Sequence, residues 1–430
     1  MQLYQRICTV FITAAVCGVV LAGRPASAQT QIQAGQVVIS ELRLRGPAGA
    51  ADEFVELYNN TDQEMVVQAT DTSAGWSVVV SNGQFAGVLF VVPNGTRIPA
   101  RGHFLGANSQ GYSLGGYPSG NPNTSVVAAA PNIAVQTPFA TATPDATWEL
   151  DVPDGTGVAL FSTSSGPNMS LATRLDAFGY PSVPALFREG TGFPTVVTAG
   201  IEHTYYRDLR SSRPQDTGNN AADFLLVGTT TNLQIPRLGA PGPENLASPV
   251  VNNTTIAGTL LDPSVGSSSP PNRERRPNVE PNADLGVLLI RRTITNNTGQ
   301  AVTRLRFRVI NTTTLGTPAS ECGGTPCADM RALTSQDGEA GVGGQVVTVR
   351  GVRLEEPPAQ PAGGGYNASL SADFITLGSP LLPGQSVNVV FKLGIMRDGP
   401  FRFIINIEAQ NAPAPILTAP ARTITSRVRR

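Results

Sequence analysis

Two acidic residues in the segment DEFVELYNN (residues 52–60) are the first candidates for chemistry in this sequence. Two carboxylates on one surface can act as general acid and general base, as they do in glycoside hydrolysis. The apolar residues around them are typical of a β-strand, in which successive side chains point to opposite faces. Glu53 and Glu56 should therefore face opposite ways and share no substrate. We predict a structural role instead, with Glu56 in an ion pair with Arg207, because a buried carboxylate needs a charged partner.

The two histidines, His103 and His203, are the next candidates for acid–base chemistry. Neither lies in an HEXXH motif, and no serine occupies a GXSXG nucleophile elbow. A Ser–His–Asp triad is recognised by geometry and could still assemble in space. His103 is predicted at a half-buried strand position, and His203 should share a strand face with Tyr205 and Arg207. We assign no catalytic residue.

A calcium site is the main chemical alternative. Asp145, Glu149, Asp151 and Asp154 cluster in the segment PDATWELDVPDGTG, and calcium binds roughly six to eight oxygens, mostly from loops. The spacing does not match the EF-hand loop, and solvated turn aspartates with a turn at Asp154-Gly155 are the other interpretation. Three or more oxygens converging at about 2.3–2.6 Å would favour a calcium-assisted hydrolase.

The N-terminal residues predict export. An apolar run at residues 7–22 precedes Ala-Ser-Ala at 26–28, which is the small-x-small pattern of a signal-peptide cleavage site. Residues 1–28 are thus a predicted signal peptide, and no later segment approaches the roughly 20 apolar residues of a membrane span. Their removal takes away Arg6 and Arg24, so the formal charge moves from −1 to −3. This charge argues against nucleic-acid binding, and we expect a secreted protein, extracellular or periplasmic.

Two cysteines follow the predicted cleavage site, Cys322 and Cys327 in ECGGTPC. An even pair in an oxidising compartment predicts a disulfide, and a C-x4-C pair without histidines is a poor zinc site. A loop this short removes little entropy from the unfolded chain, so local rigidity is its expected role. We expect no metal and no cofactor.

Composition favours β-structure. Charged residues make up 14% of the chain, below the usual ~25%, while glycine and proline number 45 and 35. GWSVVVSNGQFAGVLFVV is interpreted as a hairpin that turns at Asn82-Gly83. One or two helical turns, and no longer helix, are expected near residues 182–188 or 219–224. Residues 109–147 are interpreted as a long surface insertion.

A change in composition predicts a second domain. Regular secondary structure should decrease in the segment RLGAPGPEN (237–245), which we take as the end of the first domain. Residues 250–413 then contain regularly spaced strands, as in a β-sandwich. An edge strand is expected at 256–261, and LGVLLIRRTITNNTGQAVTRLRFRVINTT is interpreted as a hairpin around 296–299. Residues 414–430 form a basic tail.

Several blocks of residues 35–245 resemble, in order, the lamin-tail-domain family, which has an immunoglobulin-like β-sandwich. The blocks are VVISELRLRGPAGAADEFVELYNNT, GWSVV, IPARGHFLGAN, DGTGVALFS with RLDAFGY, and YYRDLRSSRPQDTGNNAADFLL. The insertion at 109–147 departs from the short form of the family. The second domain is similar to immunoglobulin-like modules of secreted bacterial proteins through LLPGQSVNVVFKL. The resemblance implies interaction and scaffolding; in bacteria such modules often accompany hydrolase domains, and no such catalytic domain is evident here.

The expected fold class is therefore all-β, with two immunoglobulin-like β-sandwich domains in tandem after a cleaved signal peptide. The expected function is non-catalytic binding or surface scaffolding. The expected partner is a protein or a glycan of the envelope or the extracellular space. The alternative is the calcium-assisted secreted hydrolase with its site in the 145–154 loop.

Overall fold

The computed structural model describes residues 32–118, 142–196, 200–231 and 235–411, and this part of the chain is mostly β-structure. Its one α-helix, α1, has four residues. The elements of the first half are β1 Val37–Arg43, β2 Phe54–Asn59, β3 Met65–Val66, β4 Gly75–Ser81, β5 Ala86–Pro93, β6 Arg97–Ile98, β7 His103–Asn108, β8 Ala146–Trp148, β9 Gly157–Phe161, β10 Arg174–Phe178, β11 His203–Arg207, α1 Asn220–Asp223 and β12 Phe224–Gly228.

The first half forms two larger sheets. One has six strands in the order β12-β11-β1-β2-β7-β8, and the other has four in the order β10-β9-β4-β5. Their strands pair antiparallel except for β7 and β8, which run parallel. Strands β4 and β5 pair as the predicted hairpin. Strands β3 and β6 make a separate two-stranded ribbon.

One apolar core lies between these two sheets, and the alternation of side chains in β2 explains how it forms. Val55 and Leu57 point into this core with Trp76 and other residues of both sheets. Phe54, one residue out of phase, joins a small cluster on the opposite face of the six-stranded sheet. Both faces of β2 are therefore buried, because a strand with apolar residues in each phase needs cover on each side.

The second half also forms two larger sheets. Its strands are β13 Val250–Val251, β14 Ile256–Leu260, β15 Arg273–Arg276, β16 Val287–Asn296, β17 Val302–Thr312, β18 Asp329–Leu333, β19 Gly338–Val342, β20 Gln345–Gly351, β21 Arg353–Leu354, β22 Ser369–Ser371, β23 Ser386–Arg397 and β24 Phe403–Asn411. The five-stranded sheet has the order β13-β24-β17-β22-β21. The seven-stranded sheet has the order β14-β16-β23-β20-β19, with β15 also on β16 and β18 also on β23. Strand β14 is at the edge, as predicted.

The predicted hairpin around residues 296–299 was wrong. Strand β16 belongs to the seven-stranded sheet and β17 to the five-stranded sheet, so the turn crosses from one sheet to the other. Asn296 holds this crossing, since its side-chain amide donates to the carbonyls of Gln300 and Leu381, each at 2.8 Å. All residues of β17 are buried, and the strand pairs with both β24 and β22. A local turn signal does not reveal which sheet the following strand joins.

The segment at 237–245, predicted to lose order, is largely buried between the two halves. Leu238 pairs with Gly228 of the first half, and Gly239 pairs with Tyr366 of the second. The described residues between Ile32 and Asn411 form a single compact unit. The boundaries 35–245 and 250–413 thus enclose separate sheets that meet across a buried segment.

The two predicted helical turns appear as the 3-10 helix Ala185–Phe187 and as α1. The ends of the predicted insertion pack on the six-stranded sheet through Leu114, Tyr117 and Ala142, whereas residues 119–141 lie outside the described part. Residues 1–28 and the basic tail lie outside it too. Among the described residues, no helix has the length and apolar character needed to cross a bilayer.

Candidate functional site

A set of buried charged side chains lies where the outer face of the six-stranded sheet meets the five-stranded sheet. We call it the buried charge network, and no member is more than 7% exposed to solvent. Its members are Glu41, Glu56, His103, Glu244, Arg304, Arg306, Arg308, Glu355 and Glu408. Burial of this many charges is costly unless each is paired, so its contacts determine what the site can do.

Strand alternation places the arginines. In β17, Leu305, Phe307 and Val309 point into the core of the second half. Arg306 and Arg308 therefore share the opposite face, which the six-stranded sheet covers instead of water. From the sequence alone, this polar face of β17 would be predicted to meet solvent.

The carboxylates of Glu408 and Glu244 each contact both of these arginines. Glu408, opposite Arg306 in the register of β24, accepts from Arg306 Nε and, at 2.8 Å, from Arg308 Nε. Glu244, from the buried segment, contacts Arg306 and lies 2.8 Å from a terminal nitrogen of Arg308. Burial raises the pKa of Glu408, but the two guanidiniums outweigh it and bring the pKa to about 2. Glu355 contacts the same row of arginines and has a lowered pKa, since Arg306 and Arg304 outweigh its burial.

His103 bridges two carboxylates. Its Nδ1 lies 3.0 Å from Glu56 Oε1, and its Nε2 lies 2.9 Å from Glu244 Oε2. The Nδ1 contact lacks the alignment of a hydrogen bond. His103 therefore links a strand of the first half to the buried segment that carries Glu244.

The ligand atoms of Glu56, His103 and Glu244 lie within 4.8 Å of one another, so we tested whether they suit a metal ion. The two carboxylates face different ring nitrogens, on opposite sides of the imidazole. An ion there would compete with the contacts that both carboxylates already make, because Glu56 accepts from Ser40 and Glu244 is held by Arg308. These contacts favour an ion-pair network over a metal centre.

Glu41 has a raised pKa, in contrast to Glu355 and Glu408 of the same network. It lies directly opposite Glu56 on neighbouring strands, and a register shift in β1 turns it toward the network. Its two oxygens accept from Gly242 N at 3.0 Å and from Asn367 Nδ2 at 2.9 Å. Burial, and then the charge of Glu56, raise the pKa of Glu41 to about 7. The network as a whole contains five carboxyl groups, three guanidiniums and one imidazole.

The space beside the network is small. A cavity of about 30 Å³ is lined by Ser40, Glu41, His103 and Arg308, among others. This volume accommodates about one or two water molecules, whereas ligand pockets usually measure roughly 300 Å³ or more. The charged groups are therefore engaged with one another rather than arranged around a substrate.

The predicted ion pair between Glu56 and Arg207 is replaced by other partners in the structure. Arg207 pairs with Asp176 at 2.5 Å and donates through Nε to the carbonyl of Ile39. Glu56 accepts from Ser40 Oγ at 2.5 Å and contacts His103. The reason is the direction of the side chains: Arg207 lies toward the four-stranded sheet, which carries Asp176, and Glu56 lies on the outer face.

Glu53 has a structural position on the other face from Glu56. Its carboxylate accepts from Asn108 Nδ2 at 2.8 Å, from Trp148 Nε1 at 3.1 Å and from Val152 N at 2.9 Å. Burial raises the pKa of Glu53 to about 7, and these donors only partly offset it. The predicted opposition of the two acids agrees with these contacts.

The acids of the 145–154 loop point to different partners. Asp145 accepts from Leu105 N at 2.9 Å and Leu246 N at 3.1 Å, and Asp154 pairs with Arg45 at 2.9 Å. Among the residues that the structure describes, they form no group close enough to share a metal ion. The convergence of oxygens that would favour the calcium-assisted hydrolase is not observed in these side chains.

His203 has a buried structural position on β11. Its Nδ1 lies 2.7 Å from the carbonyl oxygen of Ile201, and its ring packs edge-on against Tyr205. Burial lowers its pKa to about 4, so the ring is neutral near pH 7. This environment suits packing rather than proton exchange with solvent.

Cys322 and Cys327 form a disulfide, in agreement with the prediction from their spacing. The bonded loop is tied to its surroundings, since Arg397 Nε donates to the carbonyl of Cys327 at 2.9 Å. The amide of Ala328 donates to Pro400 O at 2.9 Å. Hydrogen bonds therefore hold the disulfide-bonded loop against the end of β23 and the turn that follows it.

Fold and site together define a mostly β protein of several antiparallel sheets, whose two halves meet at a buried charge network. No family model matches the chain, and no curated protein is significantly similar to it.

Proposed function

We propose that this protein is a non-catalytic binding or surface-scaffolding protein that acts outside the cytoplasm. In this proposal its two halves are immunoglobulin-like β-sandwich domains, and the first is a relative of lamin-tail domains. The observation that carries the proposal is the buried charge network, which joins the halves and leaves a cavity of only about 30 Å³.

The network supports a binding role because its groups neutralise one another. An active site needs an accessible group with unused capacity for proton transfer or nucleophilic attack. Here Glu244 is shared by His103 and two arginines, and Glu56 by Ser40 and His103. Such pairing fixes the two halves in one orientation, which suits a rigid surface that presents loops to a partner.

Export is the second part of the proposal. The small-x-small site at 26–28 and the disulfide between Cys322 and Cys327 both suit an oxidising compartment. The blocks from VVISELRLRG to NNAADFLL support the relationship to lamin-tail domains, whose common role is interaction.

The test uses the mature chain, residues 29–430. Cells are first fractionated, and the purified protein is then presented to arrays of glycans, envelope material and DNA. Saturable binding to a glycan or envelope protein, without turnover of ester, phosphoester or glycoside substrates, is expected. Calcium-dependent turnover that is lost in Asp145→Asn would overturn the proposal in favour of the hydrolase.

A further inference from the structure

A cleft of about 300 Å³ opens in the second half, between β15 and the turn that follows β23. Its walls include the apolar side chains of Leu288, Met330, Ile395 and Phe401. The volume falls at the lower end of the range for small-molecule sites, which is roughly 300–1,000 Å³. The cleft lies apart from the buried charge network and shares no lining residue with the small cavity there.

Arg273 gives this cleft a positive charge without a counter-ion. Among the arginines that the structure describes, Arg273 alone has a guanidinium that makes neither an ion pair nor a hydrogen bond. The three other arginines without a carboxylate partner, Arg188, Arg292 and Arg397, donate to backbone carbonyls. The Arg273 guanidinium carbon lies 5.7 Å from the centre of the Phe401 ring.

Neighbouring charges do not neutralise Arg273. Arg275, two residues further along β15, is already paired with Asp398 at 2.8 Å. Arg292 points to the same face of the sheet, because Arg273 lies opposite Ile290 in the strand register. Burial, and then the charge of Arg273, lower the pKa of Arg292, so the two cations repel each other. An anion at Arg273 would relieve this repulsion.

The opposite wall is held in place before any ligand arrives. Ala328 and Gly399 line the cleft, and Ala328 N donates to Pro400 O at 2.9 Å. Ala328 directly follows the disulfide-bonded Cys327, whose carbonyl accepts from Arg397. The disulfide thus restrains the wall that faces Arg273, which lowers the cost of ordering the site on binding.

We propose that this cleft binds a carboxylate carried on a small apolar body. The free guanidinium of Arg273 offers a planar fork that matches a carboxylate, and the apolar wall accepts the body of the ligand. The proposal rests on the proposed binding function and deepens it by naming a ligand class. A free aromatic or aliphatic acid and the α-carboxylate of a peptide ending in an apolar residue share this chemistry.

The test is isothermal titration of the mature chain with paired probes. 3-Phenylpropionate is compared with 3-phenylpropanol, which has a similar body and no charge. A short peptide ending in phenylalanine is compared with its C-terminal amide. Binding of one or both acids is expected, with roughly tenfold or greater weakening for the neutral counterparts; the two acids distinguish the sources.

Arg273→Gln should weaken binding of the acid by roughly tenfold to a hundredfold, since a hydrogen bond to a charged group is lost. Arg97→Gln, which removes a highly exposed arginine from the first half, is the matched control and should leave the affinity unchanged. Thermal melting verifies that both variants fold. Equal binding of acid and alcohol, undiminished binding by Arg273→Gln, or no binding of any probe would overturn the proposal. If no acid binds while a glycan or protein partner still does, the site at Arg273 is overturned and the proposed function stands.

Discussion

Glu56 of β2 accepts a hydrogen bond of 2.6 Å from the backbone N–H of Glu244. The bond ties a strand of the first half to the segment between the halves, and the side chain of Glu244 extends the tie to Arg306 and Arg308. The relative position of the two halves is therefore set by charged groups without access to water. The stability of this arrangement should depend strongly on single members of the network.

Glu244→Gln is expected to destabilise the protein by about 3–5 kcal/mol, because it leaves two buried guanidiniums with too little negative charge. Chemical denaturation measures the change. Glu64→Gln is the matched control, since Glu64 pairs with Arg97 at an exposed site. Such a surface pair contributes at most about 1 kcal/mol. A loss for Glu244→Gln no larger than that of the control would contradict the role given to the network.

Stability should fall as the pH rises through neutrality. The pKa of Glu41 is raised by burial to about 7 in the folded protein, above its ordinary value of about 4.5. The folded state therefore binds the proton more tightly, and raising the pH from about 4.5 to above 7 costs roughly 1–3 kcal/mol of stability. Urea denaturation at pH 5 and pH 8 measures this difference.

Glu41→Gln provides the matching variant for this pH dependence. It cannot ionise at that position, so its stability should change less between pH 5 and pH 8 than that of the wild type. Asp145, Glu53 and Glu189, whose pKa values are raised by burial to about 6, 7 and 8, contribute to the slope in both proteins. Identical slopes for the variant and the wild type would show that Glu41 keeps its charge in the folded state.

Gly106→Ala should disturb the core of the first half. A methyl group at Gly106 in β7 would lie 2.2 Å from the ring of Phe90, which stacks against Phe104 and Trp148. Such overpacking costs about 1–3 kcal/mol. Gly116→Ala is the control, because nothing lies within 4 Å of the added carbon. Thermal melting measures both, and equal melting temperatures would count against the tight contact.

Replacing both Cys322 and Cys327 by serine should change global stability by at most about 2 kcal/mol, since the bond closes a short loop. The local effect should be larger. Hydrogen exchange at Ala328, whose amide donates to Pro400 O, is expected to accelerate, whereas exchange in β2 should not change. Unaltered protection at Ala328 would show that the loop keeps its position without the bond.

Features that depend on near neighbours in the chain could be predicted from the sequence. Alternation and turn residues indicated the β4–β5 hairpin, the edge strand β14 and the two short helices. The spacing of Cys322 and Cys327 indicated their disulfide. In each case the information lies within a few residues of the feature.

The buried charge network depends on contacts between distant segments and was not predicted. Arginines alternating along residues 304–308 look the same in the sequence whether they meet water or another sheet. The glycines and prolines of 237–245 suggested lost order, yet they allow the backbone amides of Gly242 and Glu244 to reach Glu41 and Glu56. One usable signal was present, because Glu56 and Glu408 are each the one charged residue of their strands.

The position of Glu408 in β24, the last described strand, has a consequence for synthesis. A chain made from its N-terminus exposes Glu41, Glu56 and His103 long before the residue that completes their network leaves the ribosome. The charged contacts between the halves can be completed only after β24 has been synthesised. Assembly of the two halves therefore follows the synthesis of nearly the whole described chain.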